Sequence, residues 1–242
     1  MKIITILLPL FIGIILGCQN SDLEVATTES FTSNEQITPL RGTFDFTYKG
    51  VTYSSPYYME NDTLMILENE QVANLYEQLL ELPELATYVT PNGDIEYFDF
   101  YNDLLNEHPI KTTDISPYAD FHIALTIYEH AHYNLEKSGR SHYFNFFVGM
   151  DFRDLRAFNM NDMISSVRVY GPQHASHANG MTFFRDKDFG GQSITFSTHS
   201  GIYDNEFPLE ETYYFLKVEN FRNYNIKKGM SWNDRISSFK VF

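Results

Sequence analysis

The strongest constraint on this chain is a segment written twice in its second half. Asn161-Asp162-Met163-Ile164-Ser165-Ser166 returns 72 residues later as Asn233-Asp234-Arg235-Ile236-Ser237-Ser238. Both copies continue into short alternating stretches, Val167-Arg168-Val169 and Phe239-Lys240-Val241. Upstream of each lies a second shared element with two aromatics five apart: Tyr128 and Tyr133 in the first copy, Phe184 and Phe189 in the second. An internal duplication dictates architecture, and period-two alternation around it makes the repeated unit a set of strands.

These residues carry a resemblance over about half the chain. An aromatic, four residues, an aromatic, one residue and a glycine form the Greek-key signature of the βγ-crystallin superfamily. Phe184, Phe189 and Gly191 fit it fully; Tyr128 and Tyr133 fit its aromatic part, with Leu135 standing where glycine is expected. The loop Asn/Asp-Asn/Asp-x-x-Ser/Thr-Ser, present in both copies, resembles that of the calcium-binding microbial members. The resemblance implies a double Greek-key β-sandwich over residues 121–242 that binds calcium.

Calcium takes six to eight hard oxygen ligands at flexible geometry, which Asp, Asn, Ser and backbone carbonyls supply. By resemblance, each loop gives the hydroxyl of its first serine (Ser165, Ser237) to one ion. A carbonyl beside the acidic pair (Met163, Arg235) goes to the other. Asn161, Asp162, Asn233 and Asp234 brace the loops or add oxygens. The residue after the first aromatic also contributes in the family: Glu129 in one copy and Arg185 in the other, the latter only through its carbonyl. Unequal sites follow. The bland alternative is a pair of Asx and ST turns whose side chains bond only their own backbone. In length the copies also depart from a compact motif, with 33 positions from Tyr128 to Asn161 and 49 from Phe184 to Asn233. Residues 206–225 therefore read as an inserted, protruding loop.

The rest of the chain reads from local signals. Met1-Lys2 precedes an apolar run from Ile3 to Leu16 and then Gly17-Cys18, the chain's one cysteine. The run is too short to span a bilayer and reads as a secretory signal. Ile15-Leu16-Gly17-Cys18 resembles a bacterial lipobox, which implies cleavage before Cys18 and lipid attachment there. Gln19 in place of Asp points to the outer membrane. Residues 18–41 are polar and read as a disordered tether. Over 42–107 the patterns give a small α+β domain. A hairpin turns at Lys49-Gly50, a helix spans about 69–82, and a second hairpin turns at Asn92-Gly93. A further helical stretch runs over about 100–106, and 108–120 reads as a linker between two separately folding halves.

Composition limits function. A net charge of −15 repels phosphate backbones and anionic surfaces, so nucleic-acid binding is excluded, and it favours cations. With 17 Tyr and 21 Phe against a single Trp, the aromatic content suits half-buried strands. His130, His132, His174 and His177 invite a zinc reading, but His-x-His needs a converging third ligand. No nucleophile elbow, HExxH or phosphate loop is present, so the reading is not an enzyme. The chain therefore reads as a lipid-anchored cell-envelope protein, mainly β, carrying a calcium module with a binding or structural role. The alternative is a protease inhibitor or a glycan-binding or adhesin module on the same fold, with a protein or glycan partner.

Overall fold

The computed structural model describes residues 40–60, 64–109, 122–147, 151–172, 180–197, 202–203 and 212–242. The signal segment, Cys18, the tether up to residue 39, most of the 108–120 linker, and His174 and His177 lie outside these residues; Arg41, at the tether's expected end, already belongs to a strand.

The first hairpin forms as read: β1 (Arg41–Tyr48) pairs antiparallel with β2 (Val51–Glu60) across Lys49 and Gly50. Both turn residues have positive φ, 50° and 73°, the backbone that matches a two-residue turn to strand twist. β3 (Leu64–Leu67) adds to β2. Helix α1 (Glu70–Leu80) starts where Asn69 accepts from the N–H groups of Gln71 and Val72, and it buries Val72, Tyr76, Leu79 and Leu80. Glu70, Glu77 and Glu81 point to solvent, as a polar helix face should. The Asn92-Gly93 turn joins β4 (Ala86–Val89) to β5 (Ile95–Phe98), and α2 (Tyr101–Glu107) follows. Phe46, Tyr97 and Leu85 close with α1 into a core of their own.

The second half contains two intertwined arches. The first comprises β6 (His122–Tyr128), β7 (Ser141–Phe147), the two-residue β8 (Asp151–Phe152) and β9 (Ser166–Pro172). The second comprises β10 (Gly180–Phe184), β11 (Ser193–Ser197), β12 (Ile202–Tyr203), β13 (Thr212–Val218), β14 (Asn225–Lys227), β15 (Met230–Ser231) and β16 (Ser238–Val241). Each arch gives a strand to the other's sheet. β8 leaves the first arch to pair with β16, and β13 leaves the second to pair with β9. The sheets therefore run β12-β13-β9-β6-β7 and, at the matching end of the other, β11-β10-β16-β8. Between them lies one apolar core that includes Leu125, Ile127, Val167, Phe183, Ile194, Phe239 and Trp232.

Two expectations are corrected. Over its described part, 212–225, the expected protruding insertion is not one: 212–218 form β13, whose Leu216 and Val218 enter the core, and Phe221 behind them is fully buried. Alternation of apolar side chains makes this stretch a strand, whatever its added length. Nor do the halves stand apart. β4 pairs in parallel with β11, so one nine-stranded sheet, β3-β2-β1-β5-β4-β11-β10-β16-β8, runs through both, and residues 38–242 form one compact unit. Gln192 donates its amide to the carbonyls of Leu80 and Leu82, at 3.0 and 2.7 Å, closing the C-terminal end of α1. Tyr101 lies edge-on to Phe184 at 5.1 Å, and Val89 packs into the arch core. His108, at the start of the expected linker, stacks on Tyr88 at 3.9 Å and bonds Glu96 at 2.8 Å.

Candidate metal centre

The repeated loops sit side by side as a reciprocal pair. Asp162 N–H donates to Ile236 O at 3.0 Å, and Asp234 N–H donates to Ile164 O at 3.1 Å. Ile164 and Ile236 are fully buried and pin the loops to the core. Both aspartates adopt left-handed backbone, φ 53° and 56°, which Asp tolerates better than most residues. Asn161 and Asn233 each donate a side-chain amide to the following aspartate at 2.6 Å. The asparagines thus brace the carboxylates, one of the two roles expected of them.

The crossing brings each first serine to the other loop's acid. Ser165 Oγ lies 2.6 Å from Glu129 O and 3.2 Å from Asp234 Oδ1. Its counterpart Ser237 Oγ lies 3.2 Å from Asp162 Oδ1. A serine hydroxyl carries one proton, so Ser165 can serve only one of its two acceptors at a time. Two acceptors thus share one donor, and the oxygens of Glu129, Ser165 and Asp234 crowd together. A cation placed among these oxygens would be attracted by all three. The donor set, a carboxylate, a hydroxyl and a carbonyl, is of the hard type that calcium takes.

A cleft of about 450 Å³ opens at this point, and Glu129, Met163, Ser165, Asn233 and Asp234 are among the residues lining it. Withdrawal from water at the cleft wall pushes the Asp234 carboxyl above its usual value, even though the residue as a whole remains open to solvent; the hydroxyl of Ser165 and the charges of Arg222, His130 and Arg235 oppose that rise. Glu129 also accepts from Arg140 N–H at 2.7 Å, and Arg140 Nη1 reaches Met163 Sδ at 3.7 Å. At the second loop Arg185 donates its N–H to Gln192 O and leaves its side chain exposed, so it brings no acidic group there. Arg235 is likewise exposed.

The second serines hold the aromatic hairpins, a role the sequence reading missed. Ser166 Oγ donates to His130 O at 2.7 Å and accepts from Tyr133 N–H at 3.1 Å. Ser238 Oγ donates to Asp186 O at 2.6 Å and accepts from Phe189 N–H at 3.2 Å. The signal was there: the second serine is repeated as faithfully as the first. The aromatic pairs themselves meet as the spacing implies, Tyr128 to Tyr133 at 5.7 Å and Phe184 to Phe189 at 5.4 Å. Gly191 has φ +72°, and a Cβ there would come within 2.6 Å of Asp186. Leu135, in the equivalent place, has ordinary helical backbone. The left-handed residues of that hairpin are His132, Tyr133 and Asn134, and Asn134 Oδ1 accepts from His130 N–H.

The exchange of β8 and β13 between arches, with serine loops crossing beneath them, decides the fold. The described residues of 122–242 form a double Greek-key β-sandwich. Two solved structures are similar to the chain. One is a βγ-crystallin from Ciona intestinalis, 18% identical with a TM-score of 0.30, covering 49% of this chain and 99% of that one. The other is a βγ-crystallin domain from Flavobacterium johnsoniae, 23% identical with a TM-score of 0.25, covering 49% and 92%. Neither a protein-family profile nor a curated protein matches the chain. Among the described residues no three His, Cys, Asp or Glu side chains gather as a metal-binding group, so His130 and His132 have no third such partner for zinc there.

Proposed function

We propose that the chain is a lipid-anchored protein of the bacterial cell envelope whose βγ-crystallin-like half binds calcium and has a binding or structural role rather than a catalytic one. The supporting observation is Ser165, whose single proton faces both Glu129 O and Asp234 Oδ1. Glu129, Ser165, Asn233 and Asp234 would hold one ion, with the Met163 carbonyl serving the neighbouring site. Asn161, Asp162, Ser237 and the Arg185 carbonyl would hold the second, with Arg235 offering its carbonyl to the first. A bound ion supplies positive charge between loops that otherwise crowd oxygens together, and so locks the two arches to each other.

The test is a thermal melt of the full chain in detergent, with calcium and with chelator. At ten times the dissociation constant each site should add about 1.4 kcal/mol, because calcium binds the folded state. Extracellular modules bind at about 10⁻⁴ to 10⁻³ M, so millimolar calcium should suffice. Ser165→Arg and Ser237→Arg should each remove one site while leaving far-UV circular dichroism unchanged. Acidification separates two effects of opposite sign. With the Asp234 carboxyl raised, the calcium-free fold holds its proton more tightly than the unfolded chain does. Calcium-free stability from this group therefore rises as pH falls through that range. The calcium increment falls over the same range, since proton and ion compete for one carboxylate. A melt indifferent to calcium in wild type and both variants would leave the loops as ordinary turns.

The anchor rests on the Leu16-Gly17-Cys18 sequence. Wild type should fractionate with membranes and partition into detergent, and Cys18→Ser should lose the lipid. Equal partitioning of the two would overturn the assignment. Attachment on the outer-membrane side follows from Gln19 by the same resemblance.

A further inference from the structure

A second, shorter repeat leads into each loop. Asp154-Leu155-Arg156 in the first arch corresponds to Asn220-Phe221-Arg222 in the second. The correspondence is structural as well. Leu155 N–H donates to Ser237 O and Phe221 N–H donates to Ser165 O, both at 2.9 Å, and both side chains are fully buried. Each tripeptide opens a single 3-10 turn whose first residue caps it: Asp154 accepts from Arg156 N–H and Asn220 from Arg222 N–H, both at 3.0 Å. The difference is one of charge. Asp154 also grips the side chain of its arginine, with Arg156 Nε donating to both carboxylate oxygens at 2.8 and 3.0 Å and Nη2 to one of them. Asn220 has no carboxylate to offer. Among the described residues Arg222 forms no ion pair, and it lines the cleft that contains Glu129, Ser165 and Asp234.

We propose that Arg222 is a built-in counter-charge that weakens cation binding at the Glu129/Ser165/Asp234 site, while Arg156 is neutralised by Asp154 and leaves the other loop unopposed. This inference rests on the calcium reading and deepens it. The charged groups facing the cleft are Glu129, Glu136, Asp162 and Asp234 against Lys137 and Arg222, with His130 beside them. A guanidinium on the rim repels a divalent ion within the distance that salt leaves unscreened. Glu129 favours this site over the one with Arg185, and Arg222 works against that advantage. The order of the two affinities is therefore set by the Asp154/Asn220 difference as well as by Glu129/Arg185. Both serines keep their place in either case.

The experiment is calorimetric titration of the full chain in detergent with calcium chloride. In a Ser237→Arg background, which leaves only the Glu129/Ser165/Asp234 site, Arg222→Gln should tighten binding about tenfold, by removal of one nearby charge. Arg222→Lys keeps the charge and should bind as the parent does, which separates charge from packing. Asn220→Asp supplies the missing carboxylate and should also tighten. In a Ser165→Arg background, Asp154→Asn frees Arg156 and should weaken the remaining site. Equal affinities for Arg222→Gln and Arg222→Lys, within twofold, would overturn the inference while the calcium reading stood. Absence of calcium binding in the wild type and in every variant would overturn both.

Discussion

Phe239→Ala should cost about 4 kcal/mol of folding free energy, the largest loss expected from any single truncation on the sheet that joins the arches. Phe239 is fully buried at the crossing of the two arches. It stacks on Phe152 at 4.5 Å, meets Phe144 edge-on at 5.6 Å and touches Phe183 at 6.2 Å. Its strand, β16, pairs on one side with β10 of its own arch and on the other with β8 of the first. Truncation would therefore open a cavity where strands from both arches meet, and neighbours fixed in two ladders cannot collapse to fill it. Ring contacts beyond area burial are lost as well, at about 1 kcal/mol each. Urea unfolding should show a lower midpoint with an unchanged slope. A loss below about 1 kcal/mol would mean that the aromatic cluster does not hold the arches together. On the proposed calcium reading, added calcium should restore only part of the loss, because the candidate loops lie at the ends of the strands.

How much of this was legible in the sequence depended on whether the determining partner was local. The Lys49-Gly50 turn, the helix starting near Asn69 and the Asn92-Gly93 hairpin are each fixed within a few residues, and each formed where its signal stood. The paired loops were legible for a different reason. Duplication prints the same residues twice, so Asn161 to Ser166 and Asn233 to Ser238 identify one another across the chain. The ladder between β4 and β11 has neither advantage. It joins Ala86 to Ser193 in parallel, and a parallel pair leaves no turn signature between its strands. Gln192 gave no hint that its amide would close a helix ending 112 residues away. β13 was lost to a different error: its apolar alternation was visible, but added length in the second copy was taken for an insertion. Arg222 was missed because the tripeptide that pairs it with Arg156 is matched in only one residue, and its meaning lies in the Asp154-to-Asn220 change.

Residues 115–242 produced without 42–109 should fail to match the stability of the whole unit, with a melting temperature lower by roughly 15 °C or no cooperative transition at all. In a self-sufficient pair of arches β11 would be an edge. Here it pairs with β4, and the face that β10 and β11 share is covered: Thr182, Phe184, Ser193 and Thr195 are all buried. Tyr101 supplies part of that cover, lying against Phe184 and within 3.3 Å of the Thr182 hydroxyl. Tyr76 Oη accepts from Asn225 Nδ2 at 3.1 Å, Ser193 N–H donates to Leu85 O at 2.9 Å, and the Gln192 amide bonds the end of α1. Removing the first half uncovers aromatic surface at about 1.5–3 kcal/mol per large side chain. It also strips hydrogen bonds worth about 1 kcal/mol each. The bared β11 then presents unpaired backbone groups to any other strand, so association should accompany the loss. Calorimetry of residues 38–242 should give one transition in which both cores melt together. Two resolved transitions, or a 115–242 fragment that remains monomeric and melts within about 5 °C of the longer chain, would show that the continuous sheet joins two independently stable folds.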